Sequence, residues 1–213
     1  MDEQFVEATE RAIDQVVSDF QNEPNRFWNE RDIHWSLFYY LKQQEVFQRH
    51  YATELIRAEF PTLGKYGKEG KVARGHFDLV ILDPASVATD AVRKLPSWAP
   101  WDDYLPLLKV LVAVEIKTWV DRLRFDRTNW DIQKLVDSEN KVKYSYFLNF
   151  VQLDWEKIEM KAYYQKLRRY LSTKTRPKLK VLCVPNDNQV QRNQSDNWIL
   201  YTDIGQYDII GGH

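Results

Sequence analysis

The segment Val110-Leu111-Val112-Ala113-Val114-Glu115-Ile116-Lys117 is an apolar run that ends in an acid and an amine, and it says most about the fold. An upstream run, Gly75-His76-Phe77-Asp78-Leu79-Val80-Ile81-Leu82, carries a carboxylate in the same kind of surroundings. Strands buried on both faces normally read as continuous Val, Ile and Leu, and an unpaired carboxylate in such a place is costly. Both runs therefore predict strands of a buried parallel or mixed sheet whose charged side chains have partners.

The alternation of side chains along a strand sorts these charges onto one face. Glu115 and Lys117 share a face, while Val114, Ile116 and Thr118 share the other. If Asp78 comes from the neighbouring strand, two carboxylates and an ammonium converge. Carboxylates supply the hard oxygen ligands that Mg²⁺ prefers, and an ammonium can hold an attacking water or steady the charge of a phosphate. The pattern predicts a hydrolytic site.

The order of Glu30, Asp78 and Glu115-Ile116-Lys117 resembles the PD-(D/E)xK nuclease superfamily, which includes type II restriction enzymes and many repair and resolvase nucleases. The resemblance covers roughly residues 26 to 151, where a helix, a three-stranded meander, a second helix and a further strand follow in order. The proline of the family motif is absent, since Phe77 precedes Asp78. The expected fold class is α/β, with a restriction endonuclease-like mixed central sheet flanked by helices in an αβββαβ core.

This resemblance implies a metal-dependent nuclease, most simply a DNA endonuclease of restriction or repair type. It assigns Asp78, Glu115 and the backbone carbonyl of Ile116 to Mg²⁺, for which Mn²⁺ can substitute, and Lys117 to catalysis. Glu30 lies on the inward face of its helix, where the family places an acid that assists the metal. A glutamate in a first helical turn is equally favoured by the helix dipole.

Further candidates for substrate binding come from two places. The helix after the Glu-x-Lys strand often carries polar side chains that reach the site in this superfamily, which suggests Gln133 and Lys134. Residues 62–74 read as a mobile loop of glycines and basic residues, in which Lys71 and Arg74 could follow a phosphate backbone. Polar loops are common, however, and the glycine spacing matches no phosphate-binding motif.

Two other classes of function remain open on the sequence. One is a non-catalytic nucleic-acid-binding module that retains the nuclease fold, and the other is a protein-interaction subunit. Residues 1–60 carry twelve acidic and six basic side chains, whereas residues 157–180 carry nine basic and one acidic. The basic block can neutralise phosphates, although a solvated helix face explains it as well. The expected partner is nucleic acid, most simply DNA, and a homodimer would match the restriction enzymes.

Composition limits the class of protein. With 213 residues, of which 44% are hydrophobic and 14% aromatic, the chain can form one well-packed domain. No run reaches the length of a membrane span, and the acidic Met1-Asp2-Glu3 does not resemble a signal peptide, so we expect a cytoplasmic protein without membrane partners. The one cysteine, Cys183, excludes an internal disulfide and a cysteine-based zinc site.

Periodicity and turn residues predict the domain organisation. We expect a single domain over residues 1–213, whose parts are an N-terminal helical extension at 1–24, a core at 25–153 with an insertion at 84–109, and a C-terminal helix-strand extension at 154–205. The helix over residues 2–21 follows an apolar stripe, and Thr128-Asn129-Trp130-Asp131 resembles the capping box of a later helix. In the insertion, Trp98 and Trp101 could pin the segment to the body or offer aromatic surfaces to a ligand.

Overall fold

A computed structural model describes residues 2–48, 55–68, 71–96, 99–118, 125–151, 179–185, 199–203 and 206–209. A five-stranded sheet is at its centre, with strand order β1-β2-β3-β4-β5, and a separate β6-β7 hairpin follows. The strands are β1 (Ile56–Lys68), β2 (Lys71–Leu82), β3 (Val110–Lys117), β4 (Tyr144–Val151), β5 (Leu179–Pro185), β6 (Ile199–Asp203) and β7 (Gln206–Ile209). The helices are α1 (Asp2–Asn22), α2 (Glu30–Gln43), α3 (Glu45–Gln48), α4 (Pro84–Val87), α5 (Asp90–Arg93), α6 (Trp101–Tyr104) and α7 (Phe125–Val136).

The sheet is mixed, as expected. Strands β1, β2 and β3 pair antiparallel, while β3, β4 and β5 pair parallel. Parallel neighbours need a crossover, and α7 lies between β3 and β4 in the chain. The α/β class with a mixed central sheet is therefore confirmed.

Opposite faces of the sheet are covered by different helices. Ser145 on β4 donates a hydrogen bond to the carbonyl of Leu135 on α7, whereas the hydroxyl of Tyr146 reaches Glu10 on α1. Odd-numbered side chains of β4 therefore face α7, and even-numbered ones face α1. Because paired residues point to the same side, the pairs Glu115 with Phe147 and Lys117 with Asn149 place both charges of β3 on the α7 face.

Helix α1 follows the apolar stripe that its sequence predicts. Phe5, Ala8, Ala12, Val16 and Phe20 are all buried on it. The ring of Phe20 meets that of Phe150 on β4 edge-on, with centroids 5.0 Å apart. Burying an aromatic or branched aliphatic side chain contributes about 1.5–3 kcal/mol, so this stripe fixes α1 on the sheet. The helix is thus a structural part of the core.

The predicted basic loop at residues 62–74 is wrong. Strand β1 continues past Pro61 to Lys68, and β2 begins at Lys71 instead of Gly75, so the two strands form one long hairpin ribbon with Lys68 opposite Lys71. A register shift between Pro61 and Lys65 interrupts the ladder. Proline is tolerated because β1 is an edge strand, which leaves its outer backbone groups without a partner strand in this sheet. The breaker residues that suggested a loop instead mark an irregular strand.

The start of α7 also differs from prediction. The helix begins at Phe125, so Thr128–Asp131 lies within it instead of capping it. Helix α2 begins at Glu30, where Asn29 and Asp32 form a capping box. The insertion at 84–109 contains the short helices α4, α5 and α6, and Trp101 packs edge-on against Phe60 at 5.5 Å. Trp98, the helical part of the predicted C-terminal extension and the basic block up to residue 178 lie outside the described residues.

Candidate active site

The register between β2 and β3 brings the two candidate carboxylates together. Leu79 pairs with Val114 and Val80 with Ala113, so the next step of the same register sets Asp78 opposite Glu115. Directly opposed residues in an antiparallel pair have Cβ atoms about 4.5–5.5 Å apart on the same face. Both acids therefore point towards α7 from neighbouring strands.

Asp78 is fixed by the backbone of β3. Its Oδ2 accepts a hydrogen bond from the amide of Ile116 at 2.6 Å, and Asp78 itself is half-buried. This contact locks the carboxylate at the end of the β2–β3 ladder. It also holds Asp78 beside the peptide whose carbonyl was a candidate metal ligand.

Glu115 is the most unusual group in the site. It is completely buried, and neither of its carboxylate oxygens has a hydrogen-bond partner. The Nζ of Lys134 lies 2.8 Å from Oε1, forming an ion pair whose angles depart from those of a hydrogen bond. Burial, with a smaller contribution from Asp78, raises the pKa of Glu115 well above its ordinary value. This carboxylate is strongly desolvated, and its Oε2 has no hydrogen-bond partner.

Lys117 links three elements. Its Nζ donates to the carbonyl of Ile116 at 2.9 Å and to Oε1 of Glu30 at 3.3 Å, and it lies 3.5 Å from Oδ2 of Asp131. Burial alone would lower its pKa, but the surrounding carboxylates, first among them Asp131, outweigh burial and raise the pKa. The ammonium is therefore protonated at neutral pH. It can donate hydrogen bonds but cannot act as a base.

Glu30 reaches this cluster from the start of α2. The Asn29 cap fixes the helix end, and Glu30 is the first helical residue. Burial, partly offset by Lys117, raises the pKa of Glu30. Its side chain remains 42% exposed, so it lies at the solvent edge of the cluster. Glu30 thus lies in a first helical turn, where the helix dipole favours an acid, and it also contacts Lys117 of the cluster.

Lys134 lies on the inner face of α7. Its Nζ is 2.9 Å from Oδ1 of Asp131 and donates to the carbonyl of His76 at 2.7 Å. Gly75 leaves room for its stem, since a Cβ there would come within 2.9 Å of Cδ of Lys134. Burial lowers the pKa of Lys134, yet Glu115 and Asp131 together raise it above its ordinary value. The side chain is held among oxygens and is not free to follow a phosphate backbone.

The other candidates lie elsewhere. Gln133 is exposed on α7. Arg74 forms an ion pair with Asp102 and donates to the carbonyl of Thr62 at 2.9 Å, which ties the hairpin to the insertion. Lys71 begins β2, but its side chain lies outside the described residues. Among the predicted site residues, the structure thus joins Asp78, Glu115, Ile116, Lys117, Glu30 and Lys134.

Sequence reasoning missed two residues of the cluster. Asp131 pairs with both lysines, and its one available signal was the spacing of three residues to Lys134 on a helix. Asn149 lies opposite Lys117 on β4, fully buried, with neither end of its amide hydrogen-bonded. A polar residue inside the apolar run of β4 was the signal for Asn149. Two buried polar groups without hydrogen bonds thus lie on one face of adjacent strands.

The donor set fits a divalent cation in part. Two neighbouring acids, one of them buried with no hydrogen bond to either oxygen, and a nearby carbonyl are hard oxygen donors of the kind that Mg²⁺ takes together with several waters. The carbonyl of Ile116 already accepts a hydrogen bond from Lys117, and its second lone pair can serve a metal. In the described ranges, no group of three or more His, Cys, Asp or Glu side chains is arranged to hold an ion on its own. The residues present therefore suit a sparse, partly hydrated ion.

Comparisons of the chain with known proteins found no match. No protein-family model, no curated protein and no solved structure matches it. A search of the described residues finds no helix that is both long and apolar enough to cross a membrane. Function must therefore be inferred from the site itself.

Proposed function

We propose that this protein is a Mg²⁺-dependent nuclease with a restriction endonuclease-like fold, acting on DNA as an endonuclease of restriction or repair type. The observation that carries the proposal is the meeting of Asp78, Glu115 and Lys117 on one face of two adjacent strands, with Glu115 buried and lacking hydrogen bonds. Burying a carboxylate in this state lowers stability, so a ligand that compensates it is the simplest reason for its presence.

The roles follow from the chemistry of each group. Asp78 and Glu115, with the carbonyl of Ile116, would hold Mg²⁺ or Mn²⁺. A bound divalent ion supplies a nucleophile from water at neutral pH and neutralises charge on the phosphate. Lys117, which its carboxylate neighbours keep protonated, donates hydrogen bonds to the attacking water or to a phosphate oxygen. Glu30, partly exposed at the edge of the cluster and in contact with Lys117, would assist the metal directly or through water.

Cleavage assays test this proposal directly. Supercoiled plasmid and labelled single strands are each incubated with protein and Mg²⁺, Mn²⁺ or a chelator. We expect cleavage with either metal, none with the chelator, and a loss of about a thousandfold in Glu115→Gln, which corresponds to about 4 kcal/mol of transition-state stabilisation. Glu10→Gln is the matched control, because Glu10 pairs with Lys180 through the opposite face of the sheet.

Metal-independent cleavage, or equal rates in Glu115→Gln and the wild type, would refute the proposal. Folding of each variant is checked by circular dichroism.

One observation favours the alternative of a non-catalytic nucleic-acid-binding or protein-interaction module. Lys134 already supplies Glu115 with a positive partner, as a purely structural ion pair would. A binding module predicts salt-sensitive DNA binding that neither Mg²⁺ nor Glu115→Gln alters. An interaction subunit predicts a stable protein partner and no DNA affinity.

A further inference from the structure

The ammonium of Lys134 occupies a position that a metal ion could fill. Three oxygens surround its Nζ at 2.7–2.9 Å, and they come from three different elements. They belong to Glu115 on β3, Asp131 on α7 and the carbonyl of His76 on β2. Two carboxylates and a carbonyl are also the donors of a hard divalent cation.

The chain holds this ammonium firmly in place. Only 11% of the Lys134 side chain is exposed, and its stem passes over Gly75 at a distance that a Cβ would not allow. A surface lysine normally samples many side-chain rotamers, whereas the contacts of Lys134 restrict its rotamers. The Lys134 ammonium is therefore a cation in a fixed position and is not free to bind a substrate.

Charge in the cluster matches one divalent ion. Two ammonium groups, of Lys117 and Lys134, face four carboxyl groups. The four acids are Glu30, Asp78, Glu115 and Asp131. Metal binding requires ionised carboxylates, and in that state the described cluster carries two excess negative charges, which one Mg²⁺ would neutralise. A second ion would leave it with a surplus of positive charge in a buried place, which is unfavourable.

The two carboxylate oxygens of Glu115 have different surroundings. Oε1 lies against Lys134, whereas Oε2 has no hydrogen-bond partner. Asp78 is the opposed acid on β2. A metal shared between Asp78 and Oε2 of Glu115 can therefore coexist with Lys134 on Oε1. Lys134 would then hold one oxygen of Glu115 while the other, with Asp78, would remain available to a single divalent cation.

We infer that Lys134 takes the place of a second metal ion, so that the site binds one divalent cation per chain instead of two. The inference rests on the proposed function, because it specifies the cofactor content of the same site. Lys134 is then a residue that sets metal stoichiometry, with no direct role in binding the nucleic-acid backbone. Its removal frees the oxygens of Glu115 and Asp131 for a second ion.

Titration with MnCl₂, followed by electron paramagnetic resonance of the free ion, tests this inference without any measurement of cleavage. We expect one Mn²⁺ per chain in the wild type and two in Lys134→Met, with spin coupling between the bound ions. Lys143→Met is the matched control, since Lys143 pairs with Asp2 at the surface, and it should bind one. Two ions in the wild type, or one in Lys134→Met, would overturn the inference.

Folding of the variant provides a second test. Lys134→Met leaves Glu115 buried without a positive partner, so the apo variant can unfold. In that case we expect saturating Mn²⁺ to refold it with two ions bound, and failure to refold would overturn the inference. Plasmid cleavage measured in parallel separates the two claims. If the wild type binds one ion but does not cleave plasmid, the inference about Lys134 stands and the proposed nuclease activity is refuted. If the wild type cleaves plasmid but binds two ions, the nuclease activity stands and the inference is refuted.

Discussion

Two polar clusters lie on opposite faces of the same sheet, and they differ in whether their buried groups have hydrogen-bond partners. On the α1 face, the hydroxyl of Tyr146 donates to Glu10 at 2.8 Å, Lys180 pairs with the same carboxylate, and its ammonium lies 6.0 Å from the centre of the Tyr146 ring. On the α7 face, Glu115 and Asn149 are fully buried and lack hydrogen bonds.

The contrast separates a structural cluster from a candidate site. Each member of the Glu10 cluster has a partner, and its lysine and glutamate remain about a third exposed, so it needs nothing from outside the chain. The Glu115 cluster is more deeply buried and less completely bonded. Unsatisfied buried polar groups are rare in folded proteins and cost about 1–3 kcal/mol each, so their presence calls for a ligand or a functional reason.

The largest expected effect distinguishes the two clusters by activity. Lys117→Met removes the ammonium from the α7 face and should reduce the cleavage rate by about 10²–10³-fold, the range typical for loss of one donor that stabilises transition-state charge. Lys180→Met removes the ammonium of the α1 face and should leave the rate unchanged, with a loss of stability of about 0–1 kcal/mol for a partly exposed pair. Single-turnover cleavage and thermal unfolding measure both. Equal effects of the two substitutions on the cleavage rate would contradict the assignment of the candidate site to the α7 face.

Asn149 offers a test by stability. Asn149→Leu replaces an amide that has no hydrogen bonds by an apolar group of similar size, and should raise the free energy of unfolding by about 1–3 kcal/mol. Ser145→Ala, on the same strand and face, removes the bond to Leu135 and should lower it by about 1 kcal/mol. Denaturant unfolding gives both values. A destabilised Asn149→Leu would mean that the amide has a partner in the folded protein.

Gly75 tests whether Lys134 is held rigidly. A methyl group there meets Cδ of Lys134 at 2.9 Å, and the lysine cannot swing aside without leaving its three oxygens. Gly75→Ala should therefore cost about 1–3 kcal/mol of stability. The cost should fall markedly in a Lys134→Ala background, which a double-mutant cycle measures. An unchanged cost would place the clash elsewhere, at Tyr66 or Thr62.

The smallest expected effect is on the pH dependence of stability, through Tyr146 on the α1 face. Burial, reinforced by the hydrogen bond to Glu10, raises the pKa of Tyr146. The unfolded chain releases this proton at a pH of about 10, while the folded chain retains it, so the free energy of unfolding falls as pH rises above about 10. Tyr146→Phe should reduce that slope by at most one proton, or about 1.4 kcal/mol per pH unit. Unfolding curves between pH 9 and 11 provide the measurement, and an unaltered slope would contradict the prediction.

Much of the fold followed from local patterns. The periodic stripe of α1 and the continuous apolar runs of β2 and β3 each predicted their element, although β2 begins at Lys71, before its apolar run. Breaker residues misled the prediction at residues 62–74, because Gly and Pro also occur in edge strands with irregular registers. The cap predicted at Thr128–Asp131 failed for a similar reason, since the same residue types occur within helices.

The sequence by itself determined that Glu115 and Lys117 share a strand face and that Asp78 lies in a similar strand, because side chains alternate with a period of two. Only the tertiary structure decided that Asp131 pairs with both lysines, that Arg74 pairs with Asp102 in the insertion, and that Asn149 is left without a hydrogen bond. These relations depend on strand register and on the packing of α7 across the sheet. Local spacing indicates only the Asp131–Lys134 contact within α7. The contacts of Asp131 with Lys117 and of Arg74 with Asp102 join residues distant in the chain, and the state of Asn149 depends on which groups surround it.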